Sequence, residues 1–251
     1  MKLKAIRMLM LGALFAVPPS PVGAQSHVYR LNGTLSDLMG GPSLVADGGT
    51  LGPSGYTFGP NQGLSLSNVF TSASNYSIAF RSTLFNVSSS TGFVKLLDFK
   101  DLSSDNGYYV YHGQSVFYPH NGSGFSTDYV PNVSTVTVLT NDATTHMVTV
   151  YVNGLLRLQF ADGAQDADFS GPNNIARFFE DDFLLNQPEA TGGFVDYIAI
   201  YNTVLTDTDV GNLPVVAAPE PASLILVATG LLSMLGAALA RKRIAARRLI
   251  A

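Results

Sequence analysis

Three acids in a row, Glu180-Asp181-Asp182, with Glu189 a few residues on, are the residues most able to do chemistry in this 251-residue chain. Two carboxyl groups held at a set separation across a sugar can cleave a glycosidic bond. On a strand, neighbouring side chains point to opposite faces, so there only Glu180 and Asp182 would share a side. In a loop, the four acids are either a solvated turn or a ligand set for calcium, a hard cation that takes about six to eight oxygens. A second candidate is DNGYYVYHGQSVFYPHNGSGF, Asp105 to Phe125, which sets Tyr108, Tyr109, Tyr111, Phe117 and Tyr118 among Asn, Gly and His. Sugars bind where aromatic faces meet their C–H faces and polar side chains meet their hydroxyls. Alternation turns about half of these rings into a core, which leaves Tyr109, Tyr111 and Tyr118 as candidate ligand contacts.

Other chemistries lack their residues. The four histidines, His27, His112, His120 and His146, have no HExxH spacing, and the serines contain no GxSxG elbow. His112 and His120 flank a pair of expected strands and could meet across them. Without cysteine, neither disulfides nor thiolate metal sites exist. The fold must therefore hold by an ordinary core.

The residues between these motifs run with period two, broken at short intervals by Gly, Asn, Ser and Pro. YSIAF from Tyr76, FVKLLDF from Phe93, YYVYH from Tyr108, SVFYP from Ser115, STVTVLT from Ser134, HMVTVYV from His146, LLRLQF from Leu155, ARFF from Ala176 and FVDYIAIY from Phe194 each predict a strand. Asn153-Gly154, with apolar alternation on both sides, predicts a tight hairpin. One short helical turn is expected after Thr206-Asp207-Thr208-Asp209 and before Pro214. The expected fold class is all-β: an antiparallel β-sandwich of jelly-roll kind.

The two ends of the chain carry a different message. Lys2, Lys4 and Arg7 precede the apolar run Met8 to Val17, and Val22-Gly23-Ala24 offers small residues for cleavage, so residues 1–24 read as a signal peptide. At the other end, residues 222–240 are uncharged, and about 19 residues at 1.5 Å each span close to 30 Å, the thickness of a bilayer core. Arg241, Lys242 and Arg243, with Arg247 and Arg248 behind them, would hold residues 241–251 in the cytoplasm. The expected order is a signal peptide, a domain over 25–213, a linker over 214–221, a transmembrane helix over 222–240 and a basic tail. Between the two ends lie six bases and seventeen acids, a net of −11. A domain so acidic repels nucleic acid and tolerates divalent cations.

Pro219-Glu220-Pro221, the apolar segment and the basic cluster together resemble the PEP-CTERM sorting signal of Gram-negative bacteria. That resemblance implies an exosortase-like enzyme as processing partner, a transient inner-membrane anchor, and a final place in the envelope, at the surface or in the extracellular matrix. A second resemblance covers most of the domain. YRLNGTLSD from Tyr29, YTFGPNQGLSLS from Tyr56, VTVYVNGLLRLQF from Val148 and GGFVDYIAIYNTVLT from Gly192 are similar, in that order, to the laminin G-like, concanavalin A-like jelly roll. Asp196, Ile198, Ile200, Tyr201, Leu205 and Thr206 match the last strand and its capping turn. The likeness implies a calcium ion where the loop after the first strand meets the last strand, on Asp37 and Asp196 with Asn32, the last standing where many members have aspartate. It also implies a non-catalytic, lectin-like module for an extracellular polysaccharide, with a structural or adhesive matrix protein as the alternative. The laminarinase-like hydrolases of this fold carry Glu-x-Asp-x-x-Glu on one strand face, a string this chain lacks.

Overall fold

The computed structural model describes residues 25–120, 127–170, 173–182 and 189–214. The expected signal peptide, transmembrane helix and basic tail, with Pro219, Glu220, Pro221, Arg241, Lys242 and Arg243, lie outside the described residues. Fourteen strands and one helix follow in order. They are β1 (His27–Tyr29), β2 (Val45–Ala46), β3 (Thr50–Leu51), β4 (Tyr56–Phe58), β5 (Leu64–Leu66), β6 (Tyr76–Leu84), β7 (Phe93–Asp98), β8 (Gly107–Tyr111), β9 (Gln114–Tyr118), β10 (Ser134–Asp142), β11 (Met147–Val152), β12 (Leu155–Ala161), β13 (Ala176–Phe178), β14 (Gly193–Tyr201) and α1 (Asp207–Gly211).

They form two antiparallel sheets, a β-sandwich. The larger runs β12-β11-β10-β6-β14-β4-β3, and the smaller β2-β5-β13-β7-β8-β9. β14 is flanked along its whole length by β6, while its other edge is divided: β4 takes Gly193–Val195 and β1 takes Ile198–Ile200. A bulge between Val195 and Tyr197 shifts the phase of β14. Val195, Ile198 and Ile200 therefore face the core, whereas Tyr197, Ala199 and Tyr201 join Leu205, Val210 and Leu213 on the outer side under α1. Thr206 caps α1 by a reciprocal pair of bonds with Asp209, as its sequence foretells.

The core between the sheets is built on rings. Phe70 stacks on Phe169 at 4.2 Å and Phe58 on Phe179 at 4.4 Å. Burying a side chain of that size is worth roughly 1.5–3 kcal/mol. Two tight spots admit only glycine. A Cβ on Gly63 would meet the Phe178 carbonyl oxygen at 1.8 Å, and one on Gly107 would meet the Leu97 carbonyl oxygen at 2.8 Å and Lys95 Cε at 3.0 Å. These close approaches let β13 and β8 lie flat beside their partners and leave space for the lysine.

Asn153 and Gly154 turn between β11 and β12 with φ of +52° and +79°. The Asn153 Oδ1 also accepts the Val136 amide at 2.9 Å, tying the turn to β10. Asn153→Ala, which loses that bond and the residue type that tolerates positive φ, is expected to lower stability by about 1–2 kcal/mol. Urea unfolding measures it; a loss within experimental error would show that the turn contributes nothing.

Candidate functional site

The outer face of the smaller sheet carries the polar and aromatic residues that its inner face excludes. Val94, Leu96, Tyr108, Val110 and Phe117 point into the core, so Phe93, Lys95, Tyr109, Tyr111 and Tyr118 point away from it. Register then sets neighbours: Lys95 lies opposite Tyr109, Phe93 opposite Tyr111, and Gly107 opposite Tyr118.

Two described stretches of chain, 179–182 and from 189 on, meet the edge of β7 beside this face. Phe179 donates its amide to Leu96, and Glu189 accepts the Lys95 amide at 2.7 Å, so the chain leaves the edge of β7 after Phe179 and is back at Glu189. Phe179 has φ +63°, a region a bulky residue seldom enters. Its stacking on Phe58, with Phe80 edge-on at 5.8 Å, holds it there. The consequence is that Phe178 and Phe179 both face the core and the acids that follow are turned out over the sheet.

Those acids do not sit as strand alternation would place them. Asp181 and Asp182 both turn to Lys95, with the ammonium 2.8 Å from Asp182 Oδ2 and 3.8 Å from Asp181 Oδ1, while Glu180 turns to Arg177 at 2.9 Å. Asp98 completes the ring around the lysine at 3.1 Å. Lys95 is fully buried and stands 5.2 Å from the centre of the Tyr109 ring. Glu180 and Asp182 thus serve ion pairs with different partners, Arg177 and Lys95.

Beside this layer a cleft of about 190 Å³ opens between Phe93, Tyr109, Tyr118, Asp105 and Glu189. Tyr109 is buried and its hydroxyl donates to Asp105 Oδ1 at 2.7 Å; Tyr118 is 40% exposed at the rim. Tyr111 packs against Phe93 with ring centres 4.4 Å apart and planes tilted by 37°, one step from the cleft. Asp105, Asp181 and Glu189 each bring a carboxylate oxygen within 4.8 Å of the others. Burial pushes Asp181 up to about 7, against the Glu189 amide and Lys95, which pull the other way. Glu189 is raised too, again chiefly by burial. A buried face with more carboxylates than cations holds on to protons.

Asp105, Asp181 and Glu189 could hold a metal ion, and among the described residues so could His120, Asp162 and Asp166. The second group is already committed. Asp162 accepts the amides of Asp166 and Ala167 at 2.8 Å each, and Asp166 binds Asn106 and, at 2.8 Å, His120. His112 instead meets Ser88 at 3.1 Å, so the two histidines serve different neighbourhoods.

The residues expected to hold calcium by resemblance have other partners here. Asp37 is buried and its carboxylate accepts the amides of Val28, Met39 and Gly41 at 2.8–3.0 Å, with His27 Nδ1 at 2.7 Å. Asp196, the extra residue of the β14 bulge, is gripped by Arg81 through two bonds of 2.7 and 2.8 Å. Asn32 is exposed in the turn after Leu31. Neither Asp37 nor Asp196 belongs to a metal-capable group among the described residues.

Sequence reasoning missed Asp105 and Lys95. The first stands four residues before Tyr109, whose hydroxyl it binds, and the second sits three before Asp98 within an apolar strand. A larger hollow of about 440 Å³ lies on the other sheet, but five of its twelve lining residues are threonines, Tyr151 is its one ring, and that ring's hydroxyl is already bonded to Asp207. The aromatic cleft, with convergent acids, better fits a ligand.

No protein-family model and no curated protein matches the chain. Solved structures do share its fold. It is similar to domain 4 of AbnA, a GH43 extracellular arabinanase from Geobacillus stearothermophilus, in complex with arabinotriose, at 18% identity and TM-score 0.55, over 77% of this chain and 99% of that one. A Trypanosoma rangeli sialidase in complex with 2,3-difluorosialic acid matches at 15% identity and TM-score 0.58, over 78% of this chain and 33% of the sialidase. The binding domain of botulinum neurotoxin serotype D matches at 13% identity and TM-score 0.52, over 74% and 50%. The chain spans a third of the sialidase and half of the toxin domain, and identities this low speak for the fold alone.

Proposed function

We propose that this chain is a non-catalytic carbohydrate-binding module of the concanavalin A-like kind, with its ligand in the cleft of Phe93, Tyr109, Tyr118, Asp105 and Glu189. The observation that carries the reading is the cleft itself, rings at its walls and carboxylates that can accept hydroxyl protons at one end. The arabinanase and sialidase likenesses support it, since both of those chains are described with sugars. Calcium, if required, has its place on Asp105, Asp181 and Glu189, in place of Asp37 and Asp196. On this reading the Pro219-Glu220-Pro221 tail delivers the module to the envelope or extracellular matrix of a Gram-negative bacterium through an exosortase-like enzyme.

The test is a screen of the protein against soluble polysaccharides, with calcium and with a chelator. Tyr118→Ala is expected to weaken binding about tenfold, near 1.4 kcal/mol, while leaving the melting temperature unchanged, because the ring is at the rim. Equal affinity in the variant would remove the cleft from the proposal. A folded protein that binds no polysaccharide under either condition is better described as a structural or adhesive matrix protein.

A second reading draws on one observation. Asp181, pushed up to about 7 beside Glu189, has the poise of a general acid next to a second carboxyl group. Polysaccharide turnover that is lost in Asp181→Asn would make the chain a glycoside hydrolase.

A further inference from the structure

We propose that the sugar recognised in this cleft carries a primary amine, a hexosamine unit of a cationic polysaccharide; this deepens, and rests on, the carbohydrate-binding reading. Among the described residues, the walls of the cleft are three rings and two carboxylates, with no cationic side chain. Lys95 lies against the Tyr109 ring and is engaged by Asp98 and Asp182. Among the described residues Asp98, Asp181 and Asp182 share that ammonium, with Asp105 and Glu189 beside them, so above pH 7, where Asp181 is ionised, the cleft carries more negative charge than the lysine compensates.

An ionised carboxylate only accepts hydrogen bonds, and an ammonium offers three donors and no acceptor. Three acceptors placed tetrahedrally around one ammonium at about 2.9 Å lie about 4.7 Å from one another. Asp105, Asp181 and Glu189 present oxygens that all lie within 4.8 Å of one another, close enough for one ammonium to reach all three. The same spacing would suit a metal, but a metal has no use for the rings. Phe93 and the rim ring Tyr118 do have a use for an amino sugar, since an aromatic face attracts both a sugar C–H face and a cation within about 6 Å. At about 190 Å³ the space is below the roughly 300 Å³ at which sites for drug-sized ligands begin, and suits one small unit of a chain.

The experiment compares a glucosamine tetramer, its fully N-acetylated counterpart, a neutral β-glucan tetramer and a lysine tetrapeptide, titrated into the full chain with and without a chelator. The expected result is glucosamine bound at least tenfold more tightly than the other three, weakened by added salt, indifferent to the chelator, and lost at least tenfold in Glu189→Gln and in Tyr118→Ala. Asp142→Asn, on the larger sheet, should bind as the parent does, which excludes attraction to the domain's overall charge. Equal affinity for the N-acetylated or neutral tetramer would overturn the amine and leave the carbohydrate-binding reading standing. Binding abolished by the chelator would assign the carboxylates to a metal, and equal binding of the peptide would reduce the effect to unspecific charge; both overturn the proposal. A folded protein that binds none of the sugars overturns this proposal and that reading together.

Discussion

At pH 8, Lys95→Met is expected to cost about 3–5 kcal/mol of stability, the usual penalty for removing one partner of a buried charged group. The methionine fills the space of the lysine stem, so little of the loss is packing. What is lost is the ammonium that Asp98 and Asp182 hold at 3.1 and 2.8 Å and that Asp181 approaches at 3.8 Å. The sign of the pH dependence follows. Burial raises Asp181 to about 7 in the folded chain, above its value of about 3.9 when unfolded. The folded state therefore binds the extra proton between those values, and stability from this group falls as pH rises through that window. Without Lys95, which pulls it down, Asp181 holds its proton more strongly still, and the penalty should be smaller at pH 5 than at pH 8. Urea unfolding of both proteins at the two pH values measures this. Equal losses at pH 5 and pH 8 would mean that the penalty does not depend on the protonation of the neighbouring carboxylates.

The strands of five or more residues were legible because alternation repeats often enough to be seen; β6 through β12 and β14 all belong to this class. β1 to β5 have two or three residues each, too few for any period, and the larger sheet uses β1, β3 and β4 only as partial edges to β14 and to each other. The candidate rings were legible for the same reason: Tyr108 and Tyr109 must part company, and the one that faces out is Tyr109. The acids were not legible. A carboxylate that accepts backbone amides, one that grips an arginine and one that lines a cleft are the same letter, and only the path of the chain sorts Asp37, Asp196 and Asp105 into those uses. Nor does alternation foresee the turn at Phe179, which places two consecutive rings in the core and brings Asp181 and Asp182 to one lysine.

Asp37→Ala carries the second large expected effect, a loss of about 2–4 kcal/mol at neutral pH, because it strips acceptors from three backbone amides and one histidine at once. Its place in the fold explains the size. β1 pairs with β14 on one side only, and the Asp37 carboxylate takes the Val28 amide on the other while Leu38 donates to the Val28 carbonyl at 2.8 Å. The loop thus closes an open edge of the larger sheet. Burial opposes the charge, but the amides of Met39 and Val28, the His27 ring and the Gly41 amide outweigh it and hold Asp37 below the ordinary carboxylate range. A depressed carboxylate stabilises above its unfolded value near 3.9 and loses that contribution as pH falls through the folded one. The gap between parent and variant should therefore be full at pH 7 and shrink below about pH 3.9. Added calcium should shift the melting temperature of parent and variant equally, since no oxygen of Asp37 is left over for a metal. A stabilisation by calcium present in the parent and absent in Asp37→Ala would instead make Asp37 a ligand and require its loop to open.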